Sequence, residues 1–240
     1  EEGRLLPLPG GHGQCFSVLS DVFSRLYASG KRFIQFGNVD NLGNTVSTVS
    51  LALLALSGHV AGFDFAYRTA VDVKGGILVR NTSGHLTCVD IGPAISKDEV
   101  FAAEKRGRKI LFNCATGLFD LSYLVEHIDQ IARSLPVRLS DQDKDAGRYS
   151  QAEQITWEVI GMLPDPMIFA VNKSERFLAA KLLIENFLTS GIRLDDARFP
   201  VRSNPEENIL PVAGALHSGL ESHLKTTYGM VRKADRWMPA

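Results

Sequence analysis

Apolar positions at helical spacing recur early in the chain. Phe16, Leu19, Val22, Phe23 and Leu26 predict a helix over residues 15–29, closed by Gly30 as a C-terminal cap. A short β-type run, Arg32 to Phe36, follows and ends at Gly37 and Asn38. Residues 45–56 read as a second helix. Three β-type runs come next, at 62–69, 76–80 and 86–91, and Asn81-Thr82-Ser83-Gly84 between the last two reads as a hairpin turn. Further along, the pattern predicts a strand at 109–113, a helix at 118–135, a polar loop or linker at 140–150 and a helix at 151–162. A strand at 167–171, a helix at 175–188 ending at Gly191, and a last helix at 212–224 after Pro200, Pro205 and Pro211 complete it. Loop, helix, strand, loop and helix in the first sixty residues specify an α/β fold with a parallel sheet, whose ligands sit at the C-terminal ends of strands.

Composition narrows the function classes. The chain has 240 residues, 45% hydrophobic and 22% charged, enough for a sizeable core without disulfides or structural metal. A formal net charge of −1 provides no global field to draw in nucleic acid. Three scattered cysteines, Cys15, Cys88 and Cys114, show no zinc or redox spacing and suit a reducing cytoplasm. The longest apolar stretch, 49–56, is too short to span a bilayer.

Two segments offer chemistry. In PGGHG at 9–13, Gly10, Gly11 and Gly13 let backbone N–H groups approach a ligand, and His12 can donate to a phosphate or sugar. The competing reading is a tight turn with a solvent-facing histidine. In GNVDNLG at 37–43, Asp40 lies where a strand gives way to a loop. A lone carboxylate there suits Mg²⁺, which keeps waters and takes phosphate oxygens. Asn38 and Asn41 add neutral donors and acceptors. The competing reading makes Asp40 a helix cap or an Asx turn. His59, His85, His127, His217 and His223 have no partners at informative spacing and read as structural or surface residues. Asp141-x-Asp143-x-Asp145 has the spacing of a metal pair, but no strand leads directly into it, and it reads as a solvated charge run.

Taken in order, PGGHG, FGNVDNLG, Val71-Asp72-Val73-Lys74-Gly75-Gly76 and Phe112-Asn113 resemble the PxGHG, NxDNLG, ADVKGG and FNTNN segments of the UDP-glucose pyrophosphorylase family. The resemblance covers about residues 9–173. It implies a nucleotide-diphospho-sugar transferase fold, a Rossmann-like mixed, mainly parallel sheet flanked by helices. Residues 1–195 would be the C-terminal part of the catalytic domain, and 196–240 a mainly helical extension. The implied reaction is Mg²⁺-dependent in-line attack of a hexose-1-phosphate, glucose-1-phosphate first, on the α-phosphorus of UTP, giving UDP-sugar and pyrophosphate. The resemblance places Gly11 against uracil, His12 and Asn38 on the nucleotide, Asp40 on Mg²⁺, Gly75 or Gly76 along the hexose, and Asn113 on hexose hydroxyls. The family's PVK lysine, which neutralises phosphate charge, has two candidates: Lys173, favoured by element order, and Arg202 in Pro200-Val201-Arg202. Departures are Ala115, where the family has a second asparagine, and Gln14, where an acid often follows GHG. The family's Gly-rich LxGGxGT loop has no counterpart here, so the 240 residues alone are expected to turn over little substrate. A UDP-N-acetylhexosamine or broad-specificity UDP-sugar pyrophosphorylase, or a non-catalytic sugar-nucleotide-binding protein, are the alternatives.

Overall fold

The computed structural model describes residues 10–69, 72–144, 147–179, 210–234 and 236–240. Its centre is the long strand β5 (Leu111–Asp120), which pairs antiparallel with β1 (Phe33–Gly37), β2 (Ala61–Tyr67) and β3 (Gly75–Arg80). Strand β4 (Leu86–Ile91) joins β3 as the expected hairpin, and β8 (Met167–Ala170) lies parallel to β2. Strands β1, β2, β3 and β8 therefore share one direction, and β5 and β4 oppose it. The α/β class with a mixed sheet is as expected. What a strand–helix alternation could not show is that β5 enters between β1 and β2, so that of the described neighbours only β2 and β8 are parallel.

Helices flank both faces. α1 (Cys15–Val18) and α2 (Ser20–Ala28), one predicted helix broken at Leu19, lie with α5 (Leu121–Ser134) on one face. Phe16, Phe36, Phe63 and Phe119 interlock there, tilted for Phe16–Phe36 and edge to face for the other pairs, with centroids 5.2–6.1 Å apart. α3 (Thr48–Ser57) covers the opposite face, where Leu54 meets Leu118 and Phe169. Asp120 starts α5 by accepting from the N–H groups of Ser122 and Tyr123. An unpredicted helix, α4 (Lys97–Lys105), begins with a reciprocal Ser96–Glu99 capping box.

Three expectations need correction. The polar stretch 140–150 is no loop but the middle of a two-stranded ribbon, β6 (Val137–Lys144) with β7 (Gly147–Gln154). On β7 the more covered positions are Gly147, Tyr149, Gln151 and Glu153, with Gln151 buried, and they are mostly polar, so the covered side shows little apolar alternation. Asp141 and Asp143 lie on β6, Ser150 donates to Asp141 Oδ1 at 2.6 Å, and Asp145 lies outside the described residues. Residues 151–162 are not one helix: β7 runs to Gln154, and a 3-10 turn follows over Thr156–Met162. Five consecutive residues of that turn, Thr156 to Ile160, are buried, which no one-sided helix permits. The strand expected at 109–113 extends to Asp120 through Gly117, whose missing side chain makes room for Phe63 and Trp157.

After β8 comes a single turn, α6 (Lys173–Arg176). Residues 177–179, expected within a helix at 175–188, are not helical, and Ala179 forms a β-bridge with Asn41 instead; the remainder of that expected helix, together with Arg202, lies outside the described residues. α7 (Leu210–Thr226) packs against α6: Gly219 lets its backbone approach Ser174, and buried His223 bonds the carbonyl of Glu175. His223 is thus a structural histidine, as expected. β9 (Met230–Lys233) and β10 (Arg236–Pro239) form a final hairpin. Among the described residues no helix is long and apolar enough to cross a membrane.

Candidate active site

From Phe63–Gly117 to Phe65–Asn113 the pairing advances two residues on β2 but four on β5. Residues 114–116 therefore bulge from the ladder, and Ala115 takes a left-handed φ of 50°. Such a conformation disfavours a residue with a Cβ and marks backbone held in place by its surroundings. The surroundings here are the GNVDNLG loop. The Asn38 N–H donates to the Ala115 carbonyl at 3.3 Å, and Asn41 Nδ2 donates to the Cys114 carbonyl at 3.1 Å.

Asn41 is the centre of this loop. Only 4% exposed, it also donates to the Arg176 carbonyl at 3.0 Å and accepts from the N–H groups of Gly43 (3.1 Å) and Leu178 (2.9 Å). Its amide is fully spent within the protein, so it is no ligand contact of the kind its position in the sequence suggested. Asn38 and Asp40 are half-buried beside it, and Val39 between them is fully exposed. Asp40 does not cap α3; Ser47 does, accepting from the Ser50 N–H.

Four further segments arrive at the level of the bulge. Gly37, at the end of β1, is opposite Thr116. Gly75 and Gly76 open β3, and a Cβ on Gly76 would lie 3.4 Å from Asn113 Cβ. Gly75 has φ 116°, and a Cβ there would strike the Phe112 ring. Asn113 is buried, its Oδ1 accepting from the Ala115 N–H at 2.9 Å. Ala170, at the end of β8, is opposite Phe65 and so level with Asn113. Asn38, Asp40, Gly75, Gly76, Asn113 and Lys173 thus gather where β1 and β8 end and β3 begins.

Two ion pairs missed by the sequence reading stand under this group. Lys173 Nζ is held by the carboxylate of buried Asp72 and by Thr69 Oγ1 (3.2 Å), with the rings of Phe112 and Phe177 at 5.2 and 5.8 Å. The second pair is Arg176 with Asp64 on β2, bonded through Nε (2.9 Å) and Nη2 (2.7 Å); Arg176 Nη1 also reaches the Thr45 carbonyl. Burial pushes the Asp64 carboxyl upward and Arg176 pulls it back.

The PGGHG loop is anchored separately. Gln154 N–H donates to the Gly10 carbonyl at 2.7 Å, and the Thr156 N–H donates to His12 Nδ1 at 3.0 Å. That bond makes Nδ1 the acceptor and gives a neutral imidazole its proton on Nε2. Gly11 has φ 87°, and a Cβ on it would strike the Gln154 carbonyl. Gly11 and Gly13 thus serve close packing on β7. His12 connects to the sheet through Trp157, 6.2 Å away, whose ring reaches Gly117.

The three thiols offer no nucleophile: burial raises Cys15 and Cys88 and pushes Cys114 up to about 12. Next to Gly76, across the strand pair, Asp90 lines a cavity of about 310 Å³ with Arg138, Glu153 and Glu158. Burial raises the Asp90 carboxyl, the Glu158 and Glu153 charges add to this, and Arg138 opposes them. A carboxyl raised on folding has full stability below its unfolded value of 3.8 and loses some as pH rises. Asp90→Asn is therefore expected to raise Tm at pH 7, by about 2–4 °C per kcal/mol recovered. The gain should vanish as pH falls below 4, and a pH series of thermal melts checks it.

The sequence profile of the UTP–glucose-1-phosphate uridylyltransferase family matches residues 5–199. The chain belongs to that family. It is 27% identical over 208 residues to the UTP–glucose-1-phosphate uridylyltransferase of Solanum tuberosum, covering 82% of this chain and 42% of that one. Against the Astragalus penduliflorus enzyme it is 26% identical, with 82% and 43% covered. The fold is shared with UDP-glucose phosphorylase from Trypanosoma brucei (TM-score 0.65, 22% identity, 74% of this chain and 41% of that one). It is also shared with a Leishmania major UDP-glucose pyrophosphorylase mutant in complex with UDP-glucose (TM-score 0.62, 22% identity, with the same shares covered). This uridylyltransferase-family chain therefore has the nucleotide-diphospho-sugar transferase fold and spans less than half the length of these relatives.

Proposed function

We propose that the chain forms the sugar- and metal-binding part of an enzyme that makes UDP-glucose and pyrophosphate from UTP and glucose-1-phosphate. The observation that carries this reading is the meeting of the family's separate motifs around the β5 bulge. Asn38 and Asp40 on the loop after β1, Gly75 and Gly76 at the start of β3 and Asn113 on β5, with which both strands pair, share one level of the sheet. The attacking phosphate oxygen is already ionised at neutral pH, so the reaction needs positioning and charge compensation and no general base.

Among the described residues no group of three metal-ligating side chains exists. Mg²⁺ suits such a site because it takes one or two carboxylates and fills its shell with water and phosphate oxygens. Asp40 would be the protein carboxylate, and the ion would offset charge on the phosphates. Asn113 and the bare backbone of Gly75 and Gly76 would lie along the hexose, and Gly11, His12 and Asn38 along the nucleotide. Lys173 would face phosphate from the end of β8. Its ammonium rests on Asp72, so a phosphate would have to compete with that carboxylate.

Pyrophosphate release from UTP and a panel of sugar-1-phosphates, by the protein that carries this chain, tests the reaction. Asp40→Ala is expected to abolish the Mg²⁺-dependent increment in UDP-glucose affinity, about tenfold or 1.4 kcal/mol. An unchanged Mg²⁺ dependence would remove Asp40 from the metal site. Apolar Ala115 at the bulge favours one second reading, a UDP-sugar-binding protein without turnover, which predicts binding with no pyrophosphate release.

A further inference from the structure

Helix α3 differs from α2 and α5 in what it turns to water. Those two, on the opposite face of the sheet, expose Asp21, Arg25, Glu126, Asp129 and Arg133. α3 carries no charged residue, and no Asp, Glu, Lys or Arg occurs from Asn41 to Phe63. Its inner face is spent on the sheet, with Leu54 buried against Leu118 and Phe169. Its outer face is apolar as well. Val49, Leu53 and Leu56 are 68%, 51% and 88% exposed, and Ala52 is exposed among them. Apolar residues scattered over a surface need no explanation. A continuous stripe at i, i+3, i+4 and i+7 does, because a surface helix normally puts polar residues there.

Charge and spacing decide what covers the stripe. A partner that recognises by ion pairing has nothing to hold on it, whereas a second copy brings no like charge against itself. The positions 49, 52, 53 and 56 are also symmetric about their midpoint. Laid antiparallel on its own copy, Val49 faces the partner's Leu56 and Ala52 faces the partner's Leu53. Every layer then sets a larger side chain against a smaller one, and two-fold symmetry repeats each layer, as an isologous interface requires. A parallel alignment would instead oppose leucine to leucine and alanine to alanine, leaving layers of unequal width.

The stripe offers on the order of 400 Å² of apolar surface, the size of functional patches on monomers. Two copies would bury about 800 Å² of it, less than the roughly 1,200 Å² at which stable interfaces begin, so the dimer is weak and forms as concentration rises. Val46, 63% exposed just before the helix, and exposed Ala55 add to its rim.

We infer that α3 is a self-association surface, through which two copies of this protein pair in an antiparallel, two-fold helix contact centred between Ala52 and Leu53. The inference is independent of the reaction proposed above.

Sedimentation equilibrium of the protein that carries this chain, over about 1–200 μM, tests it. The wild type should pass from monomer to dimer within that range. Val49→Glu and Leu56→Lys should each weaken the dimer at least about tenfold, since each buries an unpaired charge against an apolar side chain. Their equimolar mixture should restore association, because the antiparallel register alone brings the two opposite charges together. Both positions face outward, so the thermal midpoints of the variants should stay within about 2 °C of wild type. Should a charged variant fail to fold, Leu53→Ser removes the contact without a charge, and it should weaken the dimer with the fold intact. A wild type that stays monomeric throughout overturns the inference. A drop in thermal midpoint in both charged variants would then show that other polypeptide of the same protein covers the stripe, and unchanged midpoints that water does. Dimers that survive the substitutions, or a mixture that fails to associate, overturn it as well.

Discussion

Asn41→Ala is expected to cost about 3–5 kcal/mol of stability, because one truncation strands several buried groups at once. The lost amide leaves two carbonyls, Cys114 and Arg176, and two N–H groups, Gly43 and Leu178, without their partner. Each orphaned group costs about 1–3 kcal/mol when no water reaches it, and partial hydration keeps the total below the simple sum. At about 2–4 °C per kcal/mol, the thermal midpoint should fall by roughly 10 °C. The loss should extend to the ligand site. Asn41 ties the loop that bears Asn38 and Asp40 to the β5 bulge and to the segment after α6, so UDP-glucose affinity should drop well below the melting transition. Thermal unfolding followed by circular dichroism, with titration at 15 °C, checks both. A midpoint within 2 °C of wild type would mean that the four bonds have ready substitutes.

How much of this could be read beforehand depends on the distance over which each feature is encoded. Helices α2 and α5 were legible because their one-sided apolar spacing is local, α3 as an unbroken local run of apolar residues, and so was the β3–β4 hairpin with its Asn81-Thr82-Ser83-Gly84 turn. The ribbon of β6 and β7 was not, since its covered side is lined mostly by polar residues such as Gln151 and Glu153. In the site, the glycine-rich segment and the strand-end polar residues marked Gly11, His12, Asn38 and Asp40, and the family resemblance marked Gly75, Gly76 and Asn113. Their partners were invisible: Asp72 and Lys173 are 101 residues apart, Asp64 and Arg176 112, and Asn41 and Leu178 137. No pattern within one element relates such pairs, because topology alone makes them neighbours. Asn41 shows the consequence. Beside Asp40 it looked like a second ligand contact, and its four bonds make it the fastener of the loop. Ala115 is the converse case. Its departure from the family's asparagine was plain in the sequence, but only the backbone shows that the position is left-handed, a conformation asparagine tolerates better than alanine.

Arg176→Met should destabilise the chain by about 3–5 kcal/mol, the penalty for stripping a buried carboxylate of its cation. Asp64 is 3% exposed, and its Oδ2 accepts both Arg176 bonds, so no solvent-facing alternative compensates it. Methionine keeps most of the aliphatic stem, which confines the loss to electrostatics and to the Thr45 contacts. Two controls separate this cause from poor packing. In Arg176→Met/Asp64→Leu both charges are gone, and most of the loss should return, since an apolar pair of similar volume is often as stable as the ion pair it replaces. The pH dependence supplies the second control. With Arg176 absent, only burial acts on Asp64, and it raises the carboxyl further. A raised folded value means that stability is intact below the unfolded value of 3.8 and lost as pH rises through the folded one. The gap between wild type and Arg176→Met should therefore be widest at neutral pH and narrow as the solution is acidified towards pH 4. Denaturant unfolding of the three proteins across that range measures it. A gap independent of pH, with no recovery in the double variant, would mean that the guanidinium stabilises the fold through its bonds to Thr45 in the loop before α3, and that the charge of Asp64 is balanced by other means.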